Sequence, residues 1–447
     1  MDIVVKLSQF LLSLSLLIIL HELGHFIPAK LFKTRVEKFY LFFDVKFSLF
    51  KKKIGETVYG IGWLPLGGYV KISGMIDESM DTEQMAQEAQ PWEFRSKPAW
   101  QRLIIMLGGV TVNFVLAFLI YIGIAYAYGD SYVANTEVKD GIWVTNEIGE
   151  KVGFKNGDKI VNVDGKEFTA FEDAAYATVF GHKVTVERNG QLKEIDLPVD
   201  LTGRMMDGEK VPLFTYRIPF VVGNFADDSP NKDILQKGDV LKSINGETLR
   251  YFDQVKAFGQ QHKSQTLNAV VLRDNKDVQT KVTFNKDGKL LINPAIPTLR
   301  NLERLDYYKL SVHEYSFSES FPAGVNNFKE SMGKYLTQLK AIFTPSTGAY
   351  KGVGGFYAIF NIFPDEWAWQ NFWNITAVLS IMLGVMNLLP IPALDGGHVM
   401  FLLYEMITRR KPSDKFMEYA QMTGFVLLIG LILFANGNDI YKAILGR

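Results

Sequence analysis

Four long apolar stretches restrict the fold of this sequence more than any other feature. They run from Val4 to about Lys30, from Leu103 to about Tyr128, from about Phe372 to Leu389 and from about Tyr419 to Ala435. About 20 apolar residues suffice to cross a bilayer as a helix, and a helix satisfies its own backbone hydrogen bonds in lipid. The sequence therefore predicts a multi-pass α-helical membrane protein with about four transmembrane helices.

The first apolar stretch is predicted to be a retained membrane helix. A secretory signal would end at a small-residue cleavage site, whereas this stretch continues into His21-Glu22-Leu23-Gly24-His25. Basic residues in short loops mark the cytoplasmic side, and they cluster in Lys51-Lys52-Lys53 after the first span and Arg409-Arg410-Lys411 after the third. The region from about 130 to 370 and both termini are therefore predicted to lie outside the cytoplasm.

Charge balance and composition exclude several classes of function. Lys plus Arg and Asp plus Glu both number 48, so the formal net charge is zero. Nucleic-acid binding, which needs a clustered basic face, is therefore not expected. The chain has no cysteine, which excludes disulfides, zinc–cysteine sites and a thiol nucleophile.

The region between the second and third spans contains an internal repeat. One copy runs from Val152 to Gly165 and the other from Ile234 to Gly246. In each copy a Gly-Asp turn is followed by a short strand of alternating apolar and polar residues, and this strand ends in an Asp-Gly or Asn-Gly turn. Both copies resemble the PDZ domain in its circularly ordered, protease-associated form, which predicts two PDZ-like β-rich domains at 130–212 and 213–300. A generic small β-rich domain is the alternative. A PDZ domain would accept an extended peptide ligand at a sheet edge.

Residues 301–370 are predicted to form an amphipathic connector outside the cytoplasm. Apolar residues recur at helical spacing between about 325 and 343, namely Val325, Phe328, Met332, Tyr335, Leu336, Leu339 and Phe343. Such a face either packs against other helices or lies on the membrane surface. The N-terminal membrane part, 1–128, and the C-terminal membrane part, 371–447, complete the predicted domain organisation.

The motif His21-Glu22-x-x-His25 is the strongest indication of chemistry. Positions i and i+4 share one face of a helix, so both imidazoles can reach one zinc ion, and Glu22 is placed to take a proton from water at the metal. Ionisable groups at membrane depth are costly, roughly 2.5–3.5 kcal/mol each for Asp, Lys or Arg. Three such polar groups at the end of a span need a compensating partner, which a metal ion provides.

A catalytic zinc ion usually has a third protein ligand and one open position. Asp395 is a candidate, because it follows the third span directly and the nearby prolines, Pro390 and Pro392, interrupt the helix. Irregular backbone at membrane depth occurs where it lines a cavity or is buried in protein. The alternative is an Asp-Gly turn at the cytoplasmic end of the helix. His398 is close in sequence but less well placed than Asp395.

These two motifs together resemble the site-2 protease family of intramembrane metalloproteases. HELGH in the first span and Asn387-x-x-Pro-x-Pro-x-Leu-Asp395-Gly-Gly in a late span carry the resemblance, and the two PDZ-like domains with four spans resemble its bacterial, regulator-of-sigma-E protease branch. The resemblance covers nearly the whole chain. It implies one zinc ion per chain, with His21, His25 and Asp395 as ligands and Glu22 as the catalytic acid/base.

The same resemblance extends to Pro65-Leu66-Gly67-Gly68-Tyr69-Val70-Lys71. In the family this region is a β-hairpin that re-enters the membrane, here predicted at about 54–75, and a neighbouring strand there can pair with an unwound substrate. Gly67, Gly68, Asn387 and Pro392 are accordingly expected to bind substrate. The sequence departs from the family in the second span, where Gly108-Gly109 replaces the usual Gly-Pro although Asn113 is present.

The predicted function is an intramembrane zinc endopeptidase of the bacterial inner membrane. Its expected substrates are single-pass membrane proteins, such as anti-sigma factors or remnant signal peptides. One alternative is a membrane-anchored PDZ adaptor, which would not need Glu22. Another is a zinc transporter, which would need polar residues along more than one span, and outside the two motifs the spans offer few.

Overall fold

The computed structural model describes residues 2–65, 67–75, 88–208 and 211–444 of the 447-residue chain. The helices longer than four residues, in chain order, are α1 (Asp2–Leu31), α2 (Ala99–Tyr128), α3 (Glu147–Val152), α4 (Phe171–Phe180), α5 (Leu201–Asp207), α6 (Phe252–Gln261), α7 (Leu299–Arg304), α8 (Phe317–Ile342), α9 (Phe356–Ile362), α10 (Trp369–Leu388), α11 (Asp395–Thr408) and α12 (Asp414–Ile444).

The strands occupy the segment after α1 and most of the region between α2 and α8. They are β1 (Val36–Leu41), β2 (Phe43–Ile54), β3 (Thr57–Leu64), β4 (Tyr69–Ile72), β5 (Asp130–Val133), β6 (Ile142–Val144), β7 (Lys159–Val163), β8 (Lys183–Arg188), β9 (Gln191–Asp196), β10 (Phe214–Tyr216), β11 (Val222–Phe225), β12 (Val240–Ile244), β13 (Glu247–Thr248), β14 (Thr266–Arg273), β15 (Lys276–Thr283), β16 (Ile292–Pro294) and β17 (Leu310–His313).

The chain divides into two compact units. Unit 1 comprises Met1–Gly129, Glu314–Lys340 and Val353–Arg447, and unit 2 comprises Asp130–His313 and Ala341–Gly352. Among the described residues, four helices are long and apolar enough to cross a membrane: α1, α2, α10 and α12. They coincide with the four stretches predicted from the sequence, so the multi-pass character of the chain is confirmed.

One buried apolar cluster of unit 1 forms where α8 packs on α2 and α10. Phe328, Met332, Tyr335 and Leu339 of α8 contact buried residues of these two helices, and the Tyr121 hydroxyl donates to Ser331 Oγ at 2.7 Å. This part of the helical stripe is therefore a packing face, the first of the two alternatives that its spacing left open. Leu336 and Phe343, also in the predicted stripe, remain 47% and 68% exposed.

The strands of unit 1 form one four-stranded sheet in the order β2-β3-β1-β4. β2 and β3 form an antiparallel hairpin, β1 runs parallel to β3, and β4 pairs antiparallel with β1. The predicted hairpin at 54–75 is therefore wrong in its pairing, because β1 lies between β3 and β4. Leu66 in the connection lies outside the described residues. Since no described strand pairs with the other side of β4, β4 is an edge strand.

The chain is irregular between α10 and α11, as the two prolines there predict. Ala393 has a φ of +80°, in the left-handed region that non-glycine residues rarely adopt. A Cβ on Gly396 would lie 2.2 Å from the Leu389 oxygen, and one on Gly424 of α12 would lie 1.6 Å from the Pro392 oxygen. Glycine at both positions lets α11 and α12 approach this break closely, and the break sets where α11 begins.

Unit 2 contains two β-rich lobes that match the two copies of the repeat. One has a three-stranded sheet in the order β7-β8-β9, and the other has a four-stranded sheet in the order β13-β12-β14-β15. The Asp of each Gly-Asp turn is buried and accepts two hydrogen bonds from one arginine: Asp158 from Arg188 at 2.6 and 2.7 Å, and Asp239 from Arg273 at 2.8 and 2.6 Å. The repeated sequence therefore makes the same buried ion pair twice.

The first and last strands of unit 2 pair with each other. β5 and β17 form an antiparallel ladder in which Asp130 lies opposite His313 and Val133 opposite Leu310. Val133, Leu302 and Leu310 are buried in the core of the first lobe, so this ladder is an integral part of the unit.

Candidate metal centre

His21 and His25 lie on one face of α1, in its C-terminal half. Their Nε2 atoms are 3.3 Å apart, and the two residues are only 8% and 7% exposed. The HExxH spacing explains this arrangement, because residues four apart on a helix stack on the same face. Two nitrogen donors thus point toward one position inside unit 1.

Asp395 completes a three-residue cluster with these histidines. It is the first residue of α11, and its Oδ2 lies 3.5 Å from His21 Nε2 and 3.3 Å from His25 Nε2. One nitrogen or oxygen from each residue lies within 4.8 Å of the other two. Asp395 Oδ2 is buried and makes no hydrogen bond to a described residue. Two imidazoles facing an unbonded buried carboxylate oxygen are a donor set that fits zinc.

The other ring nitrogen of each histidine faces α2. His25 Nδ1 lies 2.8 Å from the backbone oxygen of Ile105, and His21 Nδ1 lies 3.0 Å from the side-chain amide of Asn113. Contacts of this kind fix the orientation of ligating imidazoles in metal sites. Residues of α2 therefore contact the outward ring nitrogens of both histidines.

A cavity of about 540 Å³ opens at this cluster. His21, Glu22, His25 and Asp395 all line it, together with Asn387, Gly67, Gly68 and every residue of β4. Pro392 is not among the described lining residues. The structure therefore brings all the predicted site residues to one cavity except Pro392.

His398 and Gln421 also line the cavity and were not predicted as site residues. His398 lies one turn beyond Asp395 on α11, and its Nε2 is 2.6 Å from the side-chain amide nitrogen of Gln421 on α12. Both residues are buried and line the cavity. The spacing of His398 from Asp395 indicates that the two share one face of α11. Gln421 has no comparable sequence signal, since a single amide in an apolar stretch does not reveal its partner.

Glycines allow α1 to approach α2 closely at this site. A Cβ on Gly108 would lie 1.9 Å from the backbone oxygen of Gly24, and one on Gly109 would lie 2.3 Å from His25 Nε2. Small residues permit such close approach between membrane helices. The Gly108-Gly109 pair, which replaces the expected Gly-Pro, therefore lets α2 lie directly against the histidines.

Gly108→Ala is expected to lower both the melting temperature and the zinc affinity. The added methyl group meets backbone rather than a flexible side chain, so α1 and α2 must separate and displace His21 and His25 from Asp395. Gly123→Ala, in the same helix, is the matched control, because a Cβ there meets nothing within 4 Å. Thermal unfolding and zinc competition measurements on both variants test this. Equal behaviour of the two would show that the glycine contact does not position the histidines.

Comparison with known proteins identifies similar sequences along almost the entire chain. The sequence pattern of peptidase family M50 matches residues 9–431. A Haemophilus influenzae protein named regulator of sigma E protease is 27% identical over 98% of this chain and 99% of its own length. A Campylobacter jejuni protein named as a candidate zinc metalloprotease is 27% identical over 97% and 92%. The Caulobacter vibrioides metalloprotease MmpA is 25% identical over 98% and 96%.

Proposed function

Because this chain belongs to peptidase family M50 and is a zinc metalloprotease of the membrane-bound, site-2 type, we propose that it hydrolyses peptide bonds within the transmembrane segments of single-pass membrane proteins. The position of the metal cluster carries this proposal. His21 and His25 lie on α1, a helix long and apolar enough to span the membrane, and Asp395 follows α10, another such helix. A substrate must therefore reach the cluster at the level of the membrane helices.

We assign His21, His25 and Asp395 as the residues that hold zinc. Together they would supply two imidazole nitrogens and one carboxylate oxygen, the three protein ligands that a catalytic zinc site uses, and a further position would remain for water or substrate. When bound, zinc supplies a Lewis acid that activates water near neutral pH and polarises the scissile carbonyl. The buried setting of the cluster strengthens the electrostatic stabilisation of the oxyanion that forms.

Glu22 is the proposed general base. It lines the same cavity as the three ligands and follows His21 directly, so its carboxylate is held beside the cluster by the same helix. It accepts the proton of the attacking water and then delivers it to the leaving amide nitrogen. The proton thus remains at one carboxylate between the two steps, and the peptide bond breaks without a covalent intermediate.

The edge strand β4 is the proposed binding site for the unwound substrate. A transmembrane helix hides its amide bonds in internal hydrogen bonds, so it must become extended before water can attack. The amide of Ser73 donates to Arg35 in the direction of β1 at 3.0 Å, and successive amides of a strand alternate in direction. The amides of Val70 and Ile72 therefore point to the open edge, where an extended substrate can pair with them.

Val70→Pro is expected to lower kcat/KM for a transmembrane substrate about 2- to 10-fold, because one backbone hydrogen bond contributes about 0.5–1.5 kcal/mol. Proline is tolerated on an edge strand whose N–H faces outward, so zinc content should not change. Val70→Ala is the control, since it shortens the side chain and keeps the N–H. If both variants cleave equally well, the outward amide of Val70 does not bind substrate.

The substrates we propose are anti-sigma factors or remnant signal peptides in the bacterial inner membrane. The name of the Haemophilus influenzae relative, regulator of sigma E protease, supports the first of these. A soluble fragment would be released on the cytoplasmic side. The predicted orientation, with unit 2 outside the cytoplasm, rests on the basic clusters at Lys51–Lys53 and Arg409–Lys411.

We also propose that the two lobes of unit 2 are PDZ-like domains. The repeated turn with its buried Asp–Arg pair supports this, and so does the repeated pairing of a late strand with an early one: β10 with β6 and β16 with β11. An extended peptide is the proposed ligand class for such lobes.

Cleavage of a model single-pass protein in lipid nanodiscs tests the proposed function. The purified chain with zinc should cut inside the apolar span, and mass spectrometry of the fragments locates the cut. Cleavage only in the soluble flanks of the substrate would contradict an intramembrane site. The metal chelator 1,10-phenanthroline should stop cleavage, and added zinc should restore it.

A further inference from the structure

Asn113 is a fully buried polar residue in the middle of the membrane helix α2. Its side chain is 0% exposed, and its amide nitrogen lies 3.0 Å from His21 Nδ1. Its Oδ1 has no hydrogen-bond partner among the described residues. An amide in an apolar helix is costly when part of its hydrogen-bonding capacity is unused. Packing alone therefore does not explain why asparagine occupies this position.

The contact with His21 has two chemical forms. If the amide nitrogen donates to Nδ1, the imidazole proton lies on Nε2, the atom that faces His25 and Asp395. If the amide is rotated, Oδ1 accepts a proton from Nδ1, and Nε2 keeps its lone pair for a metal ion. The oxygen and nitrogen of an amide differ too little for position alone to assign them. Only the second form is compatible with zinc at Nε2.

His25 shows which form the site requires. Its Nδ1 lies 2.8 Å from the Ile105 carbonyl oxygen, and a carbonyl only accepts, so Nδ1 of His25 carries the proton. Its Nε2 then faces Asp395 with a free lone pair. If the side-chain oxygen of Asn113 faces Nδ1 of His21, His21 has the same tautomer as His25, with the proton on Nδ1 and the lone pair on Nε2.

We propose that Asn113 is a positioning residue for zinc: its side-chain oxygen accepts a hydrogen bond from Nδ1 of His21 and so presents Nε2 to the metal. The proposal rests on the assignment of His21 as a zinc ligand made above. The backbone of Asn113 is itself anchored, because Ser380 Oγ of α10 donates to the Asn113 carbonyl oxygen at 2.8 Å. Loss of such outer hydrogen bonds typically costs about 10- to 100-fold in metal affinity.

An interhelical hydrogen bond that only holds the bundle together is the competing explanation. The chain offers a matched control for it. Thr376 of α10 is also 0% exposed and shares a 2.9 Å hydrogen bond with Ser13 of α1, but neither residue lines the cavity or contacts a histidine of the cluster. Thr376→Val thus removes a buried hydrogen bond from the same bundle without touching the proposed metal site.

The test measures metal binding in the full chain. Zinc affinity is determined by chelator competition for wild type, Asn113→Leu, Asn113→Asp and Thr376→Val, and the absorption spectrum of the Co²⁺-substituted proteins reports ligand geometry. Asn113→Leu should weaken zinc binding about 10- to 100-fold and change the Co²⁺ spectrum. Asn113→Asp, which keeps an acceptor oxygen, should bind zinc within a few-fold of wild type. Thr376→Val should match wild type in affinity and spectrum.

Three outcomes would overturn the proposal: wild-type zinc affinity in Asn113→Leu, equal losses in Asn113→Leu and Asn113→Asp, or an equal loss in Thr376→Val. Thermal unfolding of the metal-free variants shows whether each chain is folded, so an affinity loss is not mistaken for misfolding. The result is separable from the proposed function. A wild type that binds zinc but cuts no transmembrane helix contradicts the protease assignment and leaves the role of Asn113 intact.

Discussion

Glu22→Gln is expected to reduce kcat about 10²- to 10⁴-fold, the usual contribution of a general acid–base group, while zinc remains bound. Glutamine has nearly the size of glutamate, so the packing of the cavity is preserved, but its amide cannot accept a proton from water. Turnover of a single-pass substrate in nanodiscs, measured together with zinc content by elemental analysis, checks both parts of this expectation. Retained zinc is essential to the interpretation, since it separates a lost base from a lost metal site.

Glu418→Gln is the matched control for this experiment, because Glu418 is an exposed glutamate on α12 away from the cavity lining. It should cleave at the wild-type rate. If Glu22→Gln and wild type cleave equally, Glu22 is not the base, and the activity comes from a contaminating protease or from another carboxylate. If Glu22→Gln loses its zinc, the residue contributes to the metal site instead.

The second large effect is expected for Asp395→Ala, which should lose zinc and cleavage together. The substitution removes the one carboxylate of the His21, His25 and Asp395 cluster and leaves two imidazoles, too few to hold zinc in a catalytic site. Zinc content should fall from one per chain to a small fraction, and cleavage should fall to background. Asp365→Ala is the control, since the Asp365 side chain is 64% exposed and pairs with Lys6 at 3.0 Å, away from the described residues of the metal cluster.

This variant also tests which residue is the third ligand. Full zinc content in Asp395→Ala would show that another group completes the site. His398 would then be the next candidate, because it is buried and lines the same cavity. Comparison with Glu22→Gln is informative, because that variant is also expected to be strongly impaired in cleavage but to retain its metal.

The helical part of the fold could be predicted from the sequence because local patterns determine it. The apolar stretches specify the four spanning helices, and the spacing in HELGH specifies that His21 and His25 share one face. The juxtaposition of Asp395 with the histidines was less accessible from residue chemistry. It depends on how α11 begins after the Pro390–Pro392 break, and only the family resemblance favoured Asp395 over a simple turn.

Features that depend on contacts between distant segments could not be predicted. Nothing local in Val36–Leu41 indicates that this strand inserts between β3 and β4. The hairpin implied by the family resemblance is therefore replaced in the structure by a four-stranded sheet. The Gly108-Gly109 pair was noted only as a departure from the family pattern. The sequence does not show that these glycines let α2 approach the histidines, because that role depends on the packing of α1 against α2. The sequence placed Asn113 in the second span, but it did not reveal that the Asn113 side chain contacts His21.

The ladder between β5 and β17 has a consequence for how sequences of this architecture can vary. Asp130 and His313 lie opposite each other, so the polypeptide that leaves α2 returns toward α8 at a neighbouring point. The segment between them behaves as a cassette: its length and content can change while its two junctions stay together. A change of lobes between these junctions therefore does not require a change in the length of the membrane helices, but it must preserve the packing of Ala341–Gly352 within unit 2.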